Sequence, residues 1–188
     1  MIEREIKLLF ESPAEARAAI LATGAAPLRC RRLQEDAMFD TGDESLRRRG
    51  CALRVRSESG RSLLTFKGPI QPGRMKTREE HETVVSDGEV LTRVLEALGL
   101  HVWFRYQKFR EEFAAEDATI ALDETPIGTF VEIEGGERAI EHMAQALGRD
   151  ASDFLLDSYR GLFLRRREQY GLTGAHMMFA DEWSQRSS

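Results

Sequence analysis

The chain opens with Met1-Ile2-Glu3-Arg4-Glu5-Ile6-Lys7-Leu8-Leu9-Phe10, and the reading of this stretch decides the fold. On a β-strand successive side chains point to opposite faces. Glu3, Glu5 and Lys7 therefore share one surface, and Ile2, Ile6 and Leu8 share the other. A solvent-facing sheet accounts for one such strand. The pattern recurs, however. Arg54 and Arg56 flank Val55, Thr65 and Lys67 flank Phe66, and Arg78, Glu80 and Glu82 alternate. Lys108 and Arg110 flank Phe109, and Glu132 and Glu134 flank Ile133.

Six strands with charges of both signs on one face and apolar residues on the other describe a sheet packed beneath helices. An open sheet would present the charges to water as salt bridges of small individual worth. A closed one would gather them in an interior, where unpaired ions cost several kcal/mol apiece and require counter-ions or a ligand. The inventory favours closure: seven cations (Lys7, Arg54, Arg56, Lys67, Arg78, Lys108, Arg110) stand against six glutamates (Glu3, Glu5, Glu80, Glu82, Glu132, Glu134). Like signs pair at i, i+2, roughly 6.5 to 7 Å apart along a strand. Carboxylate pairs at that spacing suit a hard cation such as Mg²⁺ or Mn²⁺, and paired Arg and Lys suit phosphate oxygens.

Working outward, Ser12-Pro13-Ala14-Glu15 has the form of a capping box and starts a helix over 13–22 that Gly24 closes. Ser86-Asp87-Gly88-Glu89 caps a second, with Val90, Leu91, Val94, Leu95 and Leu98 at helical spacing up to Gly99. A third covers 137–147 and a fourth 158–169. Strands are predicted over 3–10, 28–39, 52–58, 61–67, 77–84, 101–113, 118–123 and 129–134. The helices fall between groups of strands, so the fold class is antiparallel α+β rather than alternating βαβ. One domain over 1–170 is expected, followed by a tail over 171–188 with little periodicity.

A net charge of −5 argues against general affinity for nucleic acid or an anionic membrane, so any anion site is local. Cys30 and Cys51 have neither metal-type spacing nor companions for a disulfide framework. With a charged N-terminus and no apolar run near the roughly 18 residues of a span, a cytoplasmic location is expected. Several conspicuous residues receive modest readings: Arg47-Arg48-Arg49 and Arg165-Arg166-Arg167 as solvated faces, His81 as a surface histidine, and Trp103, Phe104 and Phe109 as outer packing.

Glu3-Arg4-Glu5-Ile6-Lys7 is similar to the ExExK signature of the CYTH superfamily, the triphosphate tunnel metalloenzymes, which include class IV adenylate cyclases and thiamine triphosphatases. The later blocks resemble that family's successive strands in order: "MFDTGDESLRRRGCALRVR", "LLTFKGP", "KTREEHE", "KFREEF", "ALDETPIGTFVEIEG" and "DSY". The resemblance implies an eight-stranded antiparallel barrel forming a tunnel, with helices outside. It implies a metal set of Glu3, Glu5, Glu132 and Glu134, an additional acidic pair Glu80 and Glu82, and Asp123 near the metal. Lys7, Arg54, Arg56, Lys67, Arg78, Lys108 and Arg110 would grip phosphate, with Glu3, Glu5, Lys7, Arg56 and Lys67 at the reacting centre. Met38 departs from the tyrosine common at its position.

The implied activity is metal-dependent hydrolysis of inorganic triphosphate, thiamine triphosphate or a nucleoside triphosphate, with Mg²⁺ or Mn²⁺ as cofactor. Cyclisation of ATP to cyclic AMP and pyrophosphate uses the same charges and stands as the alternative. Non-catalytic polyphosphate binding is a third reading, disfavoured because binding alone would not retain so many repelling carboxylates. The partner is a small-molecule triphosphate, with room for a homodimer.

Overall fold

The computed structural model describes residues 1–115 and 117–180. Eight antiparallel strands close into a barrel: β1 (Ile2–Phe10), β2 (Ala26–Thr41), β3 (Ala52–Glu58), β4 (Arg61–Lys67), β5 (Lys76–Val85), β6 (Leu100–Ala115), β7 (Ala118–Thr125) and β8 (Gly128–Gly135). Their order around the barrel is β1-β5-β4-β3-β2-β6-β7-β8. The helices are α1 (Pro13–Ala22), α2 (Ser45–Arg48), α3 (Gly88–Ala97), α4 (Glu137–Ala146) and α5 (Tyr159–Arg166). The antiparallel α+β class expected from the order of strands and helices, and the eight-stranded barrel implied by the family resemblance, are the fold observed.

Closure follows from the apolar parity. Ile6, Leu8 and Phe10 of β1 are buried with Phe113, Ile120, Leu122, Val131 and Ile133, against Ile20 of α1 and Ile140 of α4. Each such side chain contributes about 1.5–3 kcal/mol when fully buried. Leu91 and Leu95 of α3 cover Phe39, Val55 and Leu64 in the same way. Ser12 caps α1 by accepting the Glu15 N–H at 3.2 Å, and Asp87 caps α3 by accepting that of Val90 at 2.8 Å.

Three local features depart from the sequence reading. β2 and β6 each run 16 residues, longer than predicted. The four-residue α2 was not predicted; it begins where buried Asp40 accepts the N–H groups of Leu46 and Arg47. The last helix ends at Arg166, short of 169.

β7 pairs with β6 only from Phe109 onward, which leaves an edge of β6 over 100–108 without a β7 partner. The chain beyond α5 takes that edge. Met177 donates its N–H to Arg105 O at 3.0 Å and accepts that of Gln107 at 2.9 Å, with its side chain fully buried beside Phe104, Tyr106 and Tyr159. Among the described residues no helix is long and apolar enough to cross a membrane.

Candidate active site

A cavity of about 930 Å³ runs through the barrel. Among the described residues, twelve lysines and arginines line it against eight glutamates, with Asp36, Asp40 and Asp123 buried behind the wall as further counter-ions, so an acidic chain keeps a small cationic excess here. Walls of low dielectric focus such a field. Of the metal-binding and phosphate-binding candidates named from sequence, all but Asp123 line this cavity. They resolve into three groups.

Glu3, Glu5, Glu80 and Glu134 form an acidic group, built by the pairing of Glu5 with Glu134 across β1 and β8 and by Lys67 opposite Glu80 across β4 and β5. Lys67 Nζ bridges Glu3 at 2.6 Å and Glu80 at 2.8 Å. Lys7 and Lys76 reach the same oxygen of Glu5, at 2.9 and 2.6 Å. Burial opposes ionisation of Glu5, but Lys7 and Lys76 hold its carboxyl well below the usual range. At Glu3 burial outweighs Lys67 and the pKa is raised. Among the described residues Glu134 makes no ion pair; partial loss of water inside the cavity, followed by the charge of Glu3, pushes its carboxyl up to about 7.

The other acids predicted as metal ligands lie elsewhere. Glu132 sits between Lys7, at 3.2 Å, and Arg110. Glu82 accepts from Thr65 Oγ1 at 2.8 Å, with its side chain 39% exposed. Asp123, placed near the metal by family resemblance, lies fully buried behind the wall. It accepts Lys108 Nζ at 2.8 Å, Arg110 Nε at 2.7 Å and the Tyr159 hydroxyl at 2.5 Å.

Asp123 is thus the internal counter-ion of the Lys108/Arg110 pair. Asp36 does the same for Arg54 and Arg56, lying 3.4 and 2.9 Å from their Nε atoms. Each cation pair projecting from a strand has one buried aspartate behind it. Burial first, then Arg110, brings the Lys108 ammonium down to about 8. Asp36 and Lys76 were missed in the sequence although both continue an alternation: Asp36 shares parity with Gln34 and Met38, and Lys76 with Arg78 and Glu80. Tyr106 and Tyr159, also missed, belong to the aromatic part of the wall.

That part contradicts the outer-packing assignment. Trp103 and Phe104 both line the cavity, and only Phe109 packs outside, against Phe179 and Arg31. Phe104 keeps the parity of Tyr106, Lys108 and Arg110, whereas Trp103 is turned by a β-bulge: Met38 faces Phe104 and Phe39 faces Val102, leaving Trp103 as the extra residue on β6. A bulge re-aims a side chain that strict alternation would send away. Arg47, read as solvated, also lines the cavity, with its Nε 2.9 Å from buried Asp40.

The acidic group fits a hard divalent ion. Its donors are all carboxylate oxygens, and Glu3 Oε2 is buried with no hydrogen-bond partner, its ion pair with Arg78 Nε standing open at 3.5 Å. A cation would also favour the ionised form of Glu134. Among the described residues no three potential ligands converge closely enough to hold an ion outright, because lysine ammonium groups stand between the carboxylates.

The comparisons with known proteins agree with this architecture. A curated protein of Methanocaldococcus jannaschii named "Putative adenylate cyclase" is 32% identical over 135 residues, covering 71% of this chain and 77% of that protein. A Pyrococcus horikoshii structure is 26% identical with a TM-score of 0.75, covering 85% of this chain and 98% of that one. A Hippeastrum protein described as a "Putative adenylyl cyclase" that reveals a dominant triphosphatase activity shares the fold at 18% identity and a TM-score of 0.64, covering 87% of this chain and 94% of that one. The model of the CYTH domain matches residues 1–159, and the chain belongs to the CYTH domain family.

Proposed function

We propose that the chain hydrolyses a triphosphate inside this cavity with Mg²⁺ or Mn²⁺ as cofactor. The observation that carries the reading is the adjacency of two charge groups in one cavity: an excess of cations, and four carboxylates of which one oxygen, Glu3 Oε2, accepts no hydrogen bond and one carboxyl, Glu134, is pushed toward neutrality. A polyphosphate with a divalent ion satisfies both. Neither alone does.

Glu3, Glu5, Glu80 and Glu134 would hold the ion, which supplies Lewis-acid neutralisation of phosphate charge when bound. Arg54, Arg56, Lys108 and Arg110 bind the phosphate oxygens. Their buried aspartates fix the guanidinium and ammonium groups before substrate arrives, so little reorganisation remains at the transition state. Attack by water on a terminal phosphorus then needs no covalent intermediate.

Cyclisation of ATP is the second reading, favoured by the name of the 32% identical relative and by the aromatic wall at Trp103 and Phe104. Incubation with tripolyphosphate, ATP and thiamine triphosphate in Mg²⁺ and Mn²⁺ separates them by product: orthophosphate or cyclic AMP. Glu5→Gln and Glu134→Gln are expected to abolish metal-dependent phosphate release. Near-normal turnover in either refutes the assignment, and binding without turnover in any metal makes the chain a polyphosphate-binding module.

A further inference from the structure

We propose that Arg47, Trp103 and Arg160 form a selectivity collar that turns away triphosphates bearing a cationic organic group and admits those whose terminal group is neutral or anionic. The inference rests on the triphosphate reading and adds to it the chemistry of what lies beyond the phosphates.

Met38, Trp103 and Phe104 line the cavity and pack with Tyr159, Leu162 and Phe163 of α5. A cavity of about 930 Å³ is in the range, roughly 300–1,000 Å³, that takes drug-sized ligands, so it has room for a group attached to a triphosphate. An aromatic wall ordinarily welcomes a cation. Here the Trp103 ring already carries two guanidinium groups, Arg47 with Cζ 4.2 Å from the ring centroid and Arg160 with Cζ at 5.8 Å. Phe104 is likewise taken by Arg160, at 4.9 Å. The bulge turns Trp103 into the cavity, but the protein's own cations occupy it.

The carboxylates in reach are spoken for. Asp40 and Glu44 hold Arg47, Asp43 holds Arg48, and Asp157 holds Arg165. Among the described residues Arg160 has no carboxylate partner and donates only to Ala175 O, at 3.3 Å. Partial burial and the like charges of Arg167 and Arg47 draw its pKa down, the mark of a cation in a cationic neighbourhood. One like charge at roughly 12 Å, in a medium of effective dielectric near 20, is worth about 1.4 kcal/mol, or tenfold in binding.

The test is phosphate release from tripolyphosphate, ATP and thiamine triphosphate, the last carrying a quaternary thiazolium. For the wild type, kcat/KM for thiamine triphosphate is expected at least tenfold below the other two. Arg160→Gln, which removes one charge, is expected to raise the ratio of thiamine triphosphate to tripolyphosphate about tenfold, and Arg160→Glu, which reverses it, by more. Equal or preferred use of thiamine triphosphate by the wild type overturns the collar, as does an unchanged ratio in a folded Arg160→Gln protein. If no triphosphate is turned over, the hydrolytic reading fails by itself. Calorimetric titration then decides the collar, since equal affinity for tripolyphosphate and thiamine triphosphate refutes it.

Discussion

Asp36 accepts Arg56 Nε at 2.9 Å and Nη2 at 3.3 Å, and with no solvent exposure of its side chain it holds Arg54 as well. Burial works against this carboxylate, but the two arginines keep its pKa low. Removing one partner of a buried pair costs about 3–5 kcal/mol, because the other charge is left uncompensated. Asp36→Asn should therefore lower stability by about that much in urea titrations. A polyanion would then supply the missing charge. Tripolyphosphate should raise Tm more in Asp36→Asn than in the wild type, and an equal shift would show that Asp36 does not govern the charge of the phosphate-binding wall.

Glu134 predicts a proton linked to metal binding. Its folded pKa of about 7 lies above the ordinary carboxyl value of 4.5, so its contribution to stability is present below pH 4.5 and is lost as pH rises to about 7. A divalent ion favours the ionised form and expels the proton. Titration of Mg²⁺ near pH 7 in buffers of different ionisation enthalpy should show proton release, and Glu134→Gln should remove it. Buffer-independent heats in the wild type would exclude Glu134 from the metal site.

Lys108 sets a second pH dependence, of opposite chemistry. With a folded pKa near 8 against 10.5, it loses its charge well before an exposed lysine, and stability gains from that loss as pH rises from 8 to 10.5. Phosphate binding needs the charged form. The KM for tripolyphosphate should rise as pH passes 8, and Lys108→Met should flatten that rise while weakening binding roughly tenfold at pH 7. A wild-type KM that stays constant from pH 7 to 9 would remove Lys108 from the phosphate-binding set.

The barrel was legible because its cause is local. A period of two in charge and apolarity, repeated on six strands, favours closure over an open sheet, and the family resemblance supplied the number of strands. What escaped depends on register between distant segments. Glu132 and Glu134 are neighbours on β8, yet one faces Lys7 and Arg110 while the other joins Glu3, Glu5 and Glu80. No spacing along β8 distinguishes them. Trp103 was misplaced because a bulge breaks the period used to read the strand, and Lys76 because the predicted strand began one residue late.

The segment after α5 yields the last prediction. Met177 is fully buried, and around it His176 Nδ1 accepts the Arg105 N–H at 3.2 Å while Phe179 donates its N–H to Gln107 Oε1 at 3.1 Å. These bonds occupy the β6 edge that β7 leaves uncovered, next to Tyr106, whose hydroxyl meets Arg54 in the cavity. An uncovered edge recruits other strands. Truncation after Gly171 should thus lower Tm and produce concentration-dependent association on gel filtration. Met177→Ala keeps the backbone bonds and should cost about 2–5 kcal/mol from the cavity it opens, without association. Met177→Leu, close in volume, should lose under about 1.5 kcal/mol. If the truncated chain stayed monomeric with an unchanged melt, the segment would be a passenger on the barrel, and Tyr106 would owe its position to β6 alone.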